Sequence, residues 1–234
     1  TIIVMNPGHL YVISAPSGTG KTSLVKALIE KDPSIRLSVS TTTREPRVSE
    51  INGKDYFFVK KEDFDKQINN NEFLEWAYVY GNFYGTSAKL VKNSISRGEK
   101  VLLEIDWQGA FQIKQRYNKG NLTLIFVAPP SLETLKERLQ KRGQDKISVI
   151  TERLATAKEE MAKSANFDYV IINDNLPPKS PPLFFKNCSA ADMKHAMLLF
   201  ISSVPRPNSL SFSIIAPKGG CFHELSLPGG TTSV

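Results

Sequence analysis

Near the start of the chain, an apolar run of strand length leads through a glycine-rich turn into a helical pattern. The apolar run covers residues 10–14, and the helical pattern covers residues 20–31. The turn between them comprises Ala15, Pro16, Ser17, Gly18, Thr19, Gly20, Lys21 and Thr22. Because a phosphate-binding P-loop requires this order of strand, loop and helix, the segment predicts such a loop.

The residue types in this turn suit a nucleoside triphosphate such as ATP. Gly18 and Gly20 allow several backbone N–H groups to point to one place, where the helix N-terminus adds positive potential. Lys21 is predicted to reach the β- and γ-phosphates, and the Thr22 hydroxyl is predicted to coordinate Mg²⁺. Ala15 replaces the first glycine of the consensus. The alternative is a strand-to-helix turn with an incidental lysine.

Apolar runs of strand length alternate with helical patterns as far as about residue 176. The further runs rich in β-branched residues are 101–106, Leu122–Ala128 and Tyr169–Ile172. The further amphipathic patterns cover residues 86–97, 108–116, 132–141 and 148–163. Runs of this kind are typical of strands that are buried on both faces. The alternation predicts an α/β fold in which helices flank a parallel central sheet.

Residues 38–84 interrupt this alternation. The pair Asn52-Gly53 is a hairpin signal, and the residues 55–59 that follow alternate in the manner of a strand. We therefore expect a small β-rich subdomain inserted into the α/β core.

Two carboxylates stand at the end of the run 101–106, where ligands gather in open α/β sheets. Glu104 and Asp106 are two positions apart, so both side chains point to the same face of a strand. Either can serve on the metal side of an ATP site. The alternative is that one of them only caps the following helix.

The composition changes after Leu176. The pairs Pro177-Pro178 and Pro181-Pro182 stop the α/β pattern, and charged residues are rare in residues 177–234. A helix is possible at 190–203, because five apolar residues form one stripe: Met193, Ala196, Met197, Phe200 and Ile201. The rest of this segment is predicted to be disordered, a lineage-specific extension or the product of an altered reading frame.

The formal net charge of +7 favours anionic partners such as nucleotides, nucleic acid or a membrane surface. The longest apolar stretches are too short to span a membrane, and the N-terminus shows no signal-peptide pattern. Two cysteines, Cys188 and Cys221, argue against a disulfide scaffold and favour a cytoplasmic location. The sequence carries no signal for oligomeric state.

Several further motifs, in order, resemble those of guanylate kinases. They are SVSTTTREPR at 38–47, GKDYFFV at 53–59, FLE at 73–75, GNFYGT at 81–86, DWQG at 106–109, PPS at 129–131, the segment 138–143, RL at 153–154 and IND at 172–174. The resemblance implies a domain at 7–176, with a GMP-binding subdomain at about 38–88 and a mobile helical lid at about 129–155. Ser49 replaces the glycine usual before Glu50.

The resemblance also implies a pocket for GMP. Arg44, Arg47, Tyr56 and Tyr84 match the residues that hold the GMP phosphate, a task that suits the paired donors of guanidinium groups. Glu75 matches the residue that reads guanine. A glutamate suits this role, because its carboxylate can accept from the ring N1–H and the exocyclic amino group. Hydroxyl partners on the guanine edge and a nearby carboxylate are expected from Ser40, Thr86 and Asp106.

On the ATP side, the resemblance places Asn173 near the adenine. It implies that lid arginines close onto the phosphates and exclude water, and these are Arg138, Arg142 and Arg153. Arg138 and Arg142 are spaced to share one helical face. The alternative for the lid is a solvated basic helix face.

The activity implied is ATP- and Mg²⁺-dependent phosphorylation of GMP, and of dGMP, in purine nucleotide metabolism and GMP recycling. The alternative is a guanylate-kinase-like binding module that has lost catalysis and recognises phosphorylated partners. Such modules usually lack a working P-loop, whereas this chain keeps Gly20-Lys21-Thr22, Arg44, Glu75 and Asp106. The basic excess up to residue 176 is small, so neither nucleic acid nor a membrane is an expected partner.

Overall fold

The computed structural model describes residues 8–117, 120–143 and 146–173, together with the backbone of residues 211–215 and 223–226. These residues form two compact units. The first holds the described residues up to Ser14 and from Ile29 to Leu124. The second holds those from Ala15 to Leu28 and from Ile125 onward.

The described part of the chain contains strands and helices in alternation. The strands are β1 (His9–Ser14), β2 (Ile35–Leu37), β3 (Thr41–Thr42), β4 (Phe57–Phe58), β5 (Phe73–Val79), β6 (Asn82–Ser87), β7 (Lys100–Glu104), β8 (Leu122–Ala128), β9 (Tyr169–Ile172), β10 (Ser211–Ile215) and β11 (His223–Ser226). The helices are α1 (Lys21–Lys31), α2 (Lys61–Asn69), α3 (Ala88–Ser96), α4 (Trp107–Arg116), α5 (Leu132–Arg142) and α6 (Ile147–Ala162).

In the first unit, β7 pairs in parallel with β1 on one side and with β2 on the other. The register sets His9 opposite Lys100 and continues to Ile13 opposite Glu104. The apolar residues of β1 and β7 are almost fully buried, as expected for strands covered on both faces: Leu10, Val12, Ile13, Val101, Leu102 and Leu103. The strand predicted at 101–106 ends at Glu104, because Asp106 leaves the sheet and caps α4.

The region 38–88 of the first unit contains a sheet of four described strands in the order β4-β3-β6-β5. β5 and β6 form an antiparallel hairpin, whose turn places Tyr80 and Gly81 at φ values of 48° and 83°. Positive φ at both central residues matches the right-handed twist of the flanking strands. The β-rich region predicted here is confirmed.

The hairpin predicted at Asn52-Gly53 is wrong. β4 consists only of Phe57–Phe58 and pairs in parallel with β3. Asn52-Gly53 instead forms a local turn, in which the Gly53 N–H donates to the Tyr56 carbonyl at 2.8 Å. Residues 43–51, directly before this turn, form no strand. Among them, the Glu50 carboxylate accepts from the backbone N–H of Arg47.

Helix α2 was not predicted. Phe64 is its one buried residue, so the apolar periodicity is weak. Lys61 pairs with Asp65 and Lys66 with Asp63, spacings that favour an exposed helix.

In the second unit, β9 pairs in parallel with β8 and antiparallel with β10, which pairs antiparallel with β11. The last two strands lie within residues 177–234, for which the sequence predicted no strand. The helix proposed at 190–203 lies outside the described residues. α5 and α6 pack through a buried cluster of Leu135, Leu139, Ile150 and Ala157.

The predicted helices are confirmed, with ends shifted by at most two residues. The strands predicted at Leu122–Ala128 and Tyr169–Ile172 are also confirmed. Within the described residues, no helix is both long enough and apolar enough to cross a membrane.

Candidate active site

The glycine-rich loop of the second unit has the backbone conformation of an anion-binding turn. Gly18 and Gly20 have φ values of 91° and 95°, which L side chains rarely adopt. The Thr19 N–H turns back to the Pro16 carbonyl at 3.2 Å, and α1 begins at Lys21. The start of the helix and the loop therefore offer backbone N–H groups and positive potential to an anion.

The side chains of the loop differ in exposure. Lys21 and Ser17 are half-buried, Thr22 is exposed, and Leu24 and Val25 anchor α1 in the core. The Thr22 side chain carries one hydroxyl oxygen, the predicted ligand for a metal ion. This fits Mg²⁺, which usually takes few protein ligands and completes its shell with water and substrate phosphates. The described residues contain no group of three or more His, Cys, Asp or Glu side chains arranged for a metal.

The loop is packed closely against its own unit. A Cβ atom on Gly18 would lie 2.7 Å from Cδ2 of Leu139 and 3.1 Å from Cδ1 of Leu135, both on α5. Thr19 is fully buried, and its carbonyl accepts from Nδ2 of Asn173 at 2.5 Å. The loop therefore touches the helix on which two of the predicted lid arginines stand.

The predicted lid arginines occupy different environments. Arg138 is half-buried, and its Nη2 donates to the Asn173 carbonyl at 2.9 Å. Arg142 is exposed at the end of α5, and Arg153 on α6 is half-buried. Ser131 caps α5 by accepting from the Thr134 N–H at 3.1 Å. Of the arginines, the structure thus joins Arg138 to Asn173.

In the first unit, Arg44 is held by an acidic partner and by aromatic rings. Its Nη2 lies 2.8 Å from Oε1 of Glu50, and its Cζ lies 5.3 Å from the centre of the Tyr56 ring and 5.8 Å from that of Phe58. The hydrogen bond that Arg44 donates to the Glu50 carboxylate is the main cause that raises the pKa of Arg44, and Tyr84 contributes. Arg44 is therefore a fixed cation.

Glu50 connects Arg44 to Arg47. Its Oε2 accepts from the Arg47 backbone N–H at 2.8 Å, and the Arg44 hydrogen bond holds the Glu50 pKa below its usual value. The Arg47 side chain is exposed. The sequence analysis gave Glu50 no role, since a single glutamate between motifs has no distinctive spacing.

The two tyrosines predicted to bind phosphate lie together. The rings of Tyr56 and Tyr84 are 6.1 Å apart in an edge-on arrangement. Burial, with a contribution from Glu104, raises the pKa of Tyr56 to about 12. Its hydroxyl therefore remains protonated at neutral pH and can donate to an anion.

Glu75 is the most deeply buried of the predicted substrate-binding residues that carry a charge. It is 2% exposed, and its Oε1 accepts from the hydroxyl of Thr86 at 2.5 Å. A Cβ atom on Gly109 of α4 would overlap Oε2 of Glu75, so any side chain at this position would displace the carboxylate. Asp106 caps the same helix by accepting from the Gly109 N–H at 3.0 Å. The helix-cap alternative thus applies to Asp106.

A residue that the sequence analysis missed supports the strand of Glu75. The amide of Gln112 on α4 donates to the Trp76 carbonyl at 2.6 Å and accepts from the Trp76 N–H at 3.3 Å. Its position one turn after Gly109 is the only sequence signal for this contact. Ser40 is half-buried, and its carbonyl accepts from the Phe57 N–H at 2.9 Å.

The predicted residues thus form two groups, each within one unit. Phosphate-binding and guanine-reading candidates lie in the first unit, while the loop, Arg138 and Asn173 lie in the second. An α/β fold with a parallel sheet and a Gly-Lys-Thr loop between strand and helix defines a P-loop kinase.

Comparisons with known proteins identify the family. The sequence model described as "Guanylate kinase" matches residues 7–179. A guanylate kinase of Thiobacillus denitrificans is 52% identical over 170 residues, which are 73% of this chain and 80% of the relative. One of Idiomarina loihiensis is 44% identical over 200 residues, 85% of this chain and 90% of the relative. The chain belongs to the guanylate kinase family.

A solved structure agrees with this assignment. The crystal structure of guanylate kinase from Anaplasma phagocytophilum has 36% sequence identity and a TM-score of 0.57, and the match covers 72% of this chain and 78% of that chain.

Proposed function

We propose that this chain transfers the γ-phosphoryl group of ATP to GMP and to dGMP, forming the diphosphate and ADP. The observation that carries the proposal is the buried Glu75–Thr86 pair in a chain that also keeps an intact Gly-Lys-Thr loop. The Glu75–Thr86 pair recognises guanine, and the Gly-Lys-Thr loop binds a triphosphate. A binding module that has lost catalysis would need neither.

The acceptor phosphate is held by Arg44, with Tyr56, Tyr84 and Arg47. The aromatic rings and Glu50 fix the Arg44 guanidinium before substrate arrives, so little side-chain freedom is lost on binding. Tyr56 donates as a neutral hydroxyl, since its pKa is about 12. Arg47 is exposed, so it orders when the anion binds.

Guanine is selected by hydrogen-bond complementarity. The carboxylate of Glu75 offers only acceptors to the ring N1–H and the exocyclic amino group. Thr86 and Gly109 hold this carboxylate from two directions, through a hydrogen bond and through close packing. Adenine presents an unprotonated N1, so an acceptor would face an acceptor in a site with little water. Ser40 and Asp106 complete the guanine edge.

The donor site is the loop at 15–22. Lys21 and the backbone N–H groups hold the phosphates, and Asn173 lies on the adenine side. Thr22 would supply a hydroxyl ligand to Mg²⁺ in this unit, and the bound ion would neutralise charge on the transferred group. Glu104 and Asp106 remain the carboxylate candidates from the sequence. Arg138, Arg142 and Arg153 add positive charge and exclude water.

The reaction needs no general base. A phosphomonoester has a second pKa of about 6, so the acceptor oxygen of GMP is already largely anionic at neutral pH. The chain's own task is to bring two polyanions into line, and fixed cations such as Arg44 and Lys21 reduce their repulsion. GMP recycling in the cytoplasm is the setting we propose, and the low cysteine content supports it.

An acceptor panel tests the proposal. ADP formation from ATP and Mg²⁺ is followed by a coupled assay with GMP, dGMP, AMP, UMP or CMP as acceptor. We expect turnover with GMP and dGMP and only background with the others. Equal rates with AMP and GMP would refute guanine selection, and GMP binding without turnover would favour the binding module.

A further inference from the structure

Asn173 stands at the end of β9, almost fully buried, and hydrogen bonds with separate parts of the second unit. It is 2% exposed. Its Nδ2 donates to the Thr19 carbonyl at 2.5 Å, and its backbone N–H donates to the Ala128 carbonyl at 2.8 Å. Its own carbonyl accepts from Nη2 of Arg138 at 2.9 Å. The side chain thus holds the loop, while the backbone holds β8 and α5.

The bond to Thr19 acts on a peptide that lies between two residues with a wide choice of backbone conformation. Thr19 lies between Gly18 and Gly20, both at positive φ, and glycine has the widest choice of backbone conformation. A trans peptide is planar, and its C=O and N–H point in opposite directions. By fixing the Thr19 carbonyl, the Asn173 amide therefore also fixes the direction of the Gly20 N–H, on the side of the peptide away from Asn173.

The same residue connects the loop to a lid arginine. Arg138 bonds the Asn173 carbonyl, and one residue further along α5 Leu139 packs against Gly18. The loop and α5 therefore share two neighbouring supports, one polar and one apolar. A shift of either element moves the other.

We propose that Asn173 is a positioning residue, whose amide fixes the Thr19–Gly20 peptide for phosphate binding and whose carbonyl places Arg138 relative to that peptide. The inference rests on the proposed function of the loop. It differs from a contact with adenine, because it applies to any ligand that presents a polyphosphate, whatever its base.

The test compares ligands with and without a base. Dissociation constants of ATP, GTP and inorganic tripolyphosphate, each with Mg²⁺, are measured by calorimetry for the parent and for Asn173→Ala. The variant keeps the backbone bonds to Ala128 and Arg138 and loses only the amide. Asn166→Ala is the matched control, since it removes an amide–carbonyl bond of the same kind on the surface of the same unit.

We expect Asn173→Ala to weaken the binding of all three ligands by a similar factor, on the order of 10-fold. The loss of one buried hydrogen bond lowers the population of the binding-competent loop conformation by about that factor. The melting temperature should fall by only a few degrees, because the buried Thr19 carbonyl loses its partner while the backbone bonds of residue 173 are kept. Asn166→Ala should bind like the parent. Weaker ATP binding with unchanged tripolyphosphate binding would overturn the inference in favour of an adenine contact alone. Lower affinity explained fully by a loss of folded protein would also overturn it.

Asn173→Asp gives an independent check that preserves the shape of the side chain. The carboxylate cannot donate to the Thr19 carbonyl, whereas the protonated acid can. We expect the affinity of this variant for tripolyphosphate, relative to the parent, to recover as the pH falls from about 8 to about 5, because burial raises a carboxyl pKa. A ratio independent of pH would contradict the role of the donor. If the parent binds neither tripolyphosphate nor ATP, the proposed function of the loop itself fails.

Discussion

Replacing Glu75 by glutamine changes one atom of the side chain that we propose reads guanine, and it removes the charge. In the structure, Oε1 accepts from Thr86 and Oε2 lies against Gly109. Glutamine can keep the Thr86 bond through its oxygen, so its –NH₂ group takes the place of Oε2. A donor then faces a donor of guanine.

The structure sets the size of the effect. Glu75 is 2% exposed, so water cannot replace a lost partner. Each charge-assisted hydrogen bond is worth roughly 1.5–3 kcal/mol, and the variant loses one fully and weakens a second. Since Oε1 remains an acceptor, we expect kcat/KM for GMP to fall on the order of 10- to 1000-fold.

The assay measures kcat/KM for GMP and for inosine monophosphate, which lacks the exocyclic amino group, beside the dissociation constant of ATP. The preference for GMP over inosine monophosphate should shrink in the variant, while ATP affinity should stay as in the parent. Glu72→Gln is the control, because it makes the same chemical change at an exposed position just before β5. If Glu75→Gln phosphorylates GMP as efficiently as the parent, Glu75 does not read guanine.

Three further predictions follow from the same contacts. Lys21→Ala should lower kcat on the order of 100-fold while calorimetric GMP affinity stays near that of the parent, and near-normal turnover would remove Lys21 from catalysis. Gly109→Ala should lower kcat/KM for GMP on the order of 10- to 100-fold, because the added Cβ atom displaces Glu75, and it should not lower the melting temperature. Unchanged kinetics would show that Glu75 can move without loss of activity. Glu50→Gln should lower the unfolding free energy at pH 7 by at most about 1 kcal/mol. Because Arg44 lowers the Glu50 pKa, this stability is present above the unfolded pKa of about 4.5 and is lost as the pH falls below it. The unfolding free energies of the parent and the variant should therefore converge in acid. A difference independent of pH would contradict the ion pair.

The α/β part of the fold could be predicted because its signals are local. β8 and β9 are uninterrupted runs of β-branched and apolar residues, and both are buried. The P-loop was also predictable from a local signal. Its backbone adopts positive φ at two positions, and this favours the glycines found there, Gly18 and Gly20.

Elsewhere, tertiary contacts decide the outcome. Asn52-Gly53 has hairpin chemistry, yet residues 43–51 directly before it form no strand, and the Glu50 carboxylate accepts from the Arg47 N–H among them. α2 forms around the single buried residue Phe64, which no periodicity reveals.

The candidate site was predicted in residue identity more than in arrangement. Arg44 and Glu75 came from the family resemblance, whereas Asp106 came first from its place at the end of a strand run. The supports that hold them, such as Glu50 and Gln112, are distant contacts whose partners no sequence spacing specifies. Asp106 illustrates the limit, since a carboxylate at a strand end is compatible with a metal role and with the helix cap that the structure has.

Transfer of a phosphoryl group from ATP to GMP is tested most directly by isotope tracing. The chain is incubated with GMP, Mg²⁺ and ATP that carries ¹⁸O in its γ-phosphoryl group. The products are then separated and analysed by mass spectrometry. We expect the label to appear in the β-phosphate of GDP, in amounts equal to the ADP formed. Label found only in inorganic phosphate, with GMP unchanged, would contradict it.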